Sequence, residues 1–258
     1  MAEAAVSDQQ ALAGFIDKWR VRWPEWSVAE VFVAPAQREV TVAWFALLQE
    51  LLDAAWAGSD ATPGQAKLAW WAEELQGWSQ GRRRHPIGIA LQRCPAPWLQ
   101  LAATLPALLD SREPANDAQQ AFAVLLPFAA SVDEVGRALF TMDGLIKLES
   151  VQPANMQIDS LQPANFVHGL LAQHLMLRGD AAVPLRTRAR IGDGHAIVQV
   201  WATELLQRWP ARSSGARPQR MFMTLLRERV RRSVAGGDFA QPLPRITALW
   251  AAWRAARG

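Results

Sequence analysis

The stretch "KLAWWAEELQGWSQGRRRHP" runs from Lys67 to Pro86 and decides how the rest of the chain is read. Leu68, Trp71, Leu75 and Trp78 recur at helical spacing and predict one buried stripe. Thr62 is placed as an N-cap, Pro63 as the first helical residue, and Gln65 as the partner in a capping box. Gly81 is placed to end the helix in a left-handed turn. His85 precedes Pro86, so it is pushed out of the helical region and sits in a turn. Arg82, Arg83 and Arg84 follow the helix C-terminus, where cations complement the dipole. Trp70 lies off the stripe with Glu73 and Glu74, and is expected to line a cavity or a contact.

Upstream, apolar residues at 44, 47, 48, 51, 52 and 55 predict a helix over 40–57. Downstream, Pro86 opens a short helix toward Cys94. Further helices are predicted at 97–110, 116–130, 132–149, 164–178, 193–209, 217–235 and 243–256, separated by Pro, Gly, Ser and Asp clusters. Only "VAEVFVA" (28–34) approaches strand character. The expectation is a single all-α domain over residues 1–258. A ten-residue repeat, "SVQPAN" (150–155) and "SLQPAN" (160–165), is too short for a solenoid and marks an irregular connection. Ser160 or Asn165 is placed to cap the helix after it.

The totals exclude several classes. One cysteine, Cys94, rules out an internal disulfide and a Cys-rich metal site. No stretch reaches the ~18 uninterrupted apolar residues of a transmembrane segment. The N-terminal residues lack the basic start and apolar core of a signal peptide. The expectation is a cytoplasmic protein, free or associated with a membrane surface. Residues 1–177 carry 12 basic and 19 acidic residues, net −7; residues 178–258 carry 15 and 5, net +10. Packing of the two parts on each other, or of two subunits, is preferred over a polyanion partner. The Arg-rich part holds no nucleic-acid-binding motif, so no nucleic acid is expected. His168 and His174 are six apart, a poor spacing for a shared metal, and His195 stands in a "GDGH" loop before a helix.

The segments "FVAPAQREVTVAWFALLQELLDAA" (32–55) and "KLAWWAEELQGWSQGRRRHPIGIAL" (67–91) resemble the squalene/phytoene synthase family. The resembling features are the "AP" and Arg38, the "AKLAWW" opening and the "G…RHP" close. A looser match continues through "VGRALFTMDGLIK" (135–147). The resemblance implies an all-α isoprenoid-synthase fold around a cavity for allylic diphosphates, with two acidic motifs holding Mg²⁺. Magnesium takes carboxylate and phosphate oxygens in an octahedron, and ionising a carbon–diphosphate bond needs positive charge on the leaving group.

At those motifs the chain departs from the pattern. The first spaces its aspartates four apart; here Asp53 remains, Gln49 stands four before it, and Trp56 and Ala57 follow it. Glu50 and Asp53 are i, i+3 neighbours that could form a displaced pair, although Glu50 solvated and Asp53 alone is preferred. In the second motif Asp143 takes an Asn position, Ile146 an Arg position and Lys147 the first metal-binding Asp position. Ala72 stands where the family has Arg.

The cavity candidates are therefore Arg38, Gln49, Asp53, Trp56, Trp70, Asp143 and Lys147, with no metal residues assigned. Asp53 and Asp143 are expected near the mouth of a pocket between the helices at 40–57 and 132–149, with Trp56 filling part of it. The preferred expectation is a family-like protein that binds an isoprenoid or lipid-like ligand, or serves assembly with a protein partner, without Mg²⁺-dependent prenyl transfer. The alternatives are an active synthase using Glu50, Asp53 and Glu149, and an oligomeric scaffold driven by the charge asymmetry.

Overall fold

The computed structural model describes residues 2–140, 166–191, 195–236 and 238–257. The expected positions Asp143, Lys147 and Glu149, and both copies of the short repeat, lie outside the described residues. Those residues form an all-α fold, with no strand among them. The helices are α1 (Ala2–Arg22), α2 (Trp26–Ala29), α3 (Arg38–Trp56), α4 (Thr62–Ser79), α5 (Gly88–Leu91), α6 (Trp98–Thr104), α7 (Pro106–Asp110), α8 (Ala118–Phe140), α9 (Phe166–Arg178), α10 (Leu185–Ile191), α11 (His195–Arg208), α12 (Arg217–Val234) and α13 (Arg245–Arg257).

Helix α3 is the centre. Its predicted stripe is buried, and so are Thr41, Val42, Phe45 and Gln49 on its other sides. A helix apolar all round belongs in a core, and α1, α4, α7 and α9 pack around it. On α4 the four predicted stripe residues are all buried. The two helices approach so closely that a Cβ on Gly64 would lie 2.0 Å from the Ala54 carbonyl oxygen. Only glycine fits at that contact.

The end of α4 follows the sequence closely. Gly81 takes φ +77°. Its N–H donates to the Trp78 carbonyl, and the Arg82 N–H reaches back to the Gly77 carbonyl at 2.8 Å. This paired closure satisfies carbonyls that the helix leaves free. The start of α4 differs from expectation. Thr62 is already the first helical residue, and Asp60 Oδ1 accepts its N–H at 2.9 Å in place of a capping box.

Other boundaries shift for physical reasons. The helix expected at 116–130 and the described part of the one expected at 132–149 are one helix, α8, with Pro127 inside it. Pro127 and Ala123, whose carbonyl loses its donor, are both exposed, so water can replace the missing bond. Pro106 divides the expected 97–110 helix into α6 and α7. The "VAEVFVA" stretch runs through the end of α2 into a 3-10 turn at Glu30–Phe32. Helix α1 was not anticipated, because Leu12, Ile16 and Trp19 make only a narrow stripe in a polar segment.

Ion pairs join the acidic and basic parts of the chain. Arg186 meets Asp117 at 2.8 Å. Arg229 on α12 meets Glu25, before α2, in a pair that is almost fully buried. The internal reading of the charge asymmetry therefore has a structural basis.

Candidate functional site: a cavity beside Gln49

A cavity of about 460 Å³ opens where the end of α1, α3, α9, α12 and residues 238–242 meet. Arg22, Gln49, Gln173, Arg229 and Asp238 supply polar groups to it; Trp23, Met176, Val198 and Phe239 supply apolar surface. Size and lining fall within the range of small-molecule sites. Gln49 and Gln173 are both buried.

The hydrogen bonds around Gln49 fix its orientation. Trp23 Nε1–H donates to Gln49 Oε1 at 3.4 Å. Gln49 Nε2–H in turn donates to Asp53 Oδ1 at 2.9 Å. Arg22 approaches the same carboxylate at 3.4 Å. Burial raises the pKa of Asp53 above the ordinary carboxylate value, while Arg22 and the Gln49 bond pull against that rise. Glu50 points to another partner: Lys67 Nζ donates to it at 2.6 Å, tying α3 to α4. Glu50 and Asp53 therefore do not form a displaced pair.

This donor set does not fit a divalent cation. Magnesium needs several oxygens converging on one point. Here Asp53 is held by an amide and a guanidinium, and Glu50 is held by a lysine. Among the described residues no three His, Cys, Asp or Glu side chains converge as a metal set.

The structure separates the other expected cavity residues from Gln49. Trp56 is fully buried away from this cavity: its Nε1–H donates to Ser111 Oγ at 3.0 Å, and its ring lies 4.6 Å from that of His174. Trp70 packs against Trp71 and His85. Arg38 donates to the Val33 carbonyl and lines a different groove beside α13. Among the described residues, α9 and α12 face α3 across the cavity; most of the helix expected at 132–149 lies outside them.

The "RRRHP" segment has a structural explanation centred on Glu74, a buried acid on the apolar stripe of α4. Its Oε1 accepts N–H groups from Trp78, Arg84 and His85 at 2.7–2.8 Å. Its Oε2 accepts from Arg84 Nε at 3.1 Å. Burial opposes ionisation, but these bonds outweigh it and hold the Glu74 pKa below the usual range. Arg83 reaches back to Asp8. His85 sits against Phe15 and Trp71, and its Nδ1 accepts the Ile87 N–H. Burial lowers the His85 pKa, consistent with a neutral ring in a turn. Glu74→Leu should strand three N–H donors and cost about 2–3 kcal/mol, with Glu74→Gln costing less because its amide oxygen can still accept. Urea unfolding at neutral pH measures both.

The sequence reading missed Trp23, Gln173 and the Glu25–Arg229 pair. Trp23 and Glu25 fall in a segment with no predicted element, and Arg229 is one of many arginines on α12. No family model matches the chain, and no curated protein matches it.

Proposed function

We propose that this chain is a squalene/phytoene synthase-like protein that holds an isoprenoid or lipid-like ligand in the cavity beside Gln49 and does not carry out Mg²⁺-dependent prenyl transfer. The observation that carries this reading is the position of Gln49. It stands where the resemblance implies the first metal-binding aspartate, and it lines a largely apolar cavity. A neutral amide there, hydrogen-bonded to Trp23 and Asp53, suits ligand retention better than diphosphate ionisation. Arg22 at the edge leaves room for an anionic or polar head group, and Met176, Val198 and Phe239 suit a hydrocarbon tail.

Farnesyl diphosphate and farnesol, each titrated with and without Mg²⁺, test the proposal through the change in tryptophan fluorescence. The expected result is binding that does not depend on Mg²⁺, no apolar product, and at least about tenfold weaker binding in Met176→Trp, which fills the cavity. Mg²⁺-dependent turnover that is lost in Asp53→Ala would replace this reading with an active synthase. Absence of binding, together with a salt-sensitive mass on a sizing column, would favour the scaffold.

A further inference from the structure

Helix α13 is oriented against the usual rule for a water-facing helix. Its buried face consists of Ala248, Ala251 and Ala252, packed toward α12. Its outer face carries Ile246, Trp250 and Trp253, with Leu249 beside them, at i, i+4, i+7 and i+3. Ile246 is 74% exposed, Trp250 58% and Leu249 42%. Ten of the thirteen tryptophans in the chain are buried, and Trp250 is the one placed most openly in water. The Trp250 and Trp253 rings meet edge to face at 5.1 Å, forming one aromatic ridge.

The ridge borders a shallow groove formed with the 31–35 turn. Val31, 60% exposed, and Phe32 add to the apolar surface. Arg38, Arg217 and Arg257 line the same groove, and no carboxylate does. None of the three arginines forms an ion pair among the described residues. Arg257 lies over the Trp253 ring at 4.2 Å, and Arg38 Nε–H donates to the Val33 carbonyl. On α13 itself every charge is positive: Arg245, Arg254 and Arg257.

We propose that this face is a docking surface for an anionic lipid bilayer. Tryptophan and aliphatic side chains beside unpaired arginines match the interface between acyl chains and phosphate head groups. The aromatic ridge enters the acyl boundary while the guanidiniums meet phosphates. Charge complementarity selects this partner. A protein surface of ordinary mixed charge would leave three arginines unmatched, and a second copy of this face would set like charges against each other. The proposal is independent of what the Gln49 cavity holds.

Sedimentation of the full chain with vesicles tests it. Vesicles of phosphatidylcholine alone are compared with vesicles of phosphatidylcholine and phosphatidylglycerol. Binding is expected only to the anionic vesicles, weakening with salt, with a blue shift of tryptophan emission that Trp250→Glu lacks. Trp250→Glu should reduce the partition coefficient by about tenfold or more, and Arg217→Ala and Arg257→Ala by about fivefold each. These positions are exposed, so unchanged circular dichroism should accompany the loss. Equal binding by Trp250→Glu and the parent would overturn the proposal. So would a dimer on a sizing column that Trp250→Glu dissociates while neither protein binds vesicles, which would assign the face to self-association.

Discussion

Arg229→Met should destabilise the protein by about 3–5 kcal/mol, the range for removing one partner of a buried ion pair. The pair is desolvated on both sides, with side-chain exposure of 6% for Arg229 and 0% for Glu25. The guanidinium grips the carboxylate through Nε and Nη2 at 2.6 and 2.5 Å, and Nη2 also donates to the Arg22 carbonyl. Its face lies 4.1 Å over the Trp23 ring. Without Arg229, Glu25 would keep the Leu243 N–H at 2.8 Å but no cation. Adding Glu25→Leu should recover part of the loss, because two apolar groups no longer bury an uncompensated charge. The recovery stays incomplete, since the Leu243 N–H then lacks its acceptor. Urea midpoints with unchanged slopes measure all three variants. A double variant as unstable as the two single losses combined would show that the residues act independently. Arg229 also lines the Gln49 cavity, so the single variant should weaken the ligand binding proposed above as well.

The apolar framework was legible because periodicity reports burial directly. The stripes on α3 and α4, the glycine ending α4 and the turn before Pro86 all follow from local chemistry. Glu74 was misread. The sequence reading sets it off the stripe with Trp70 and Glu73, yet it stands three residues after Trp71 and four before Trp78 and is buried; its partners ten and eleven residues away were not legible. The break expected between 130 and 132 does not occur, because Ser131 and Val132 are buried within one continuous helix, which only the packing decides. Gln49, named through the family resemblance, lines the cavity, and Asp53 is hydrogen-bonded to it. Trp56 and Arg38 were misplaced because one helix presents different faces to different neighbours, and sequence spacing alone does not say which neighbour encloses a space. Trp23, Gln173 and Arg229 come from three distant segments, joined only by the fold.

Acidification should destabilise the protein through His174 well before the ordinary carboxylates titrate. The ring is buried on α9 against Trp56, and its Nε2 has no hydrogen-bond partner. Burial, followed by the charges of Arg178 and Arg112, pushes its pKa down to about 3. An unfolded histidine titrates near ~6.5. Above that value the ring is neutral in both states and imposes no penalty. Below it the unfolded chain takes up a proton that the folded chain refuses, so stability falls by about 1.4 kcal/mol per pH unit until the folded pKa is reached. The loss from this group should approach about 4–5 kcal/mol near pH ~3. His85, lowered by its own burial, acts in the same direction and begins at the same pH. Glu74 adds to the loss only below ~4.3, where an unfolded glutamate protonates. His174→Phe keeps a ring against Trp56 and removes the titrating group. Its stability should be close to the parent at pH ~8 and should decline less steeply between pH ~6.5 and ~4.5. Urea unfolding across this range measures the difference, and NMR of the His174 ring reads its protonation directly. Parallel pH profiles for the two proteins, or a His174 resonance titrating near ~6.5, would mean that the ring gains a proton without cost and is hydrated in solution.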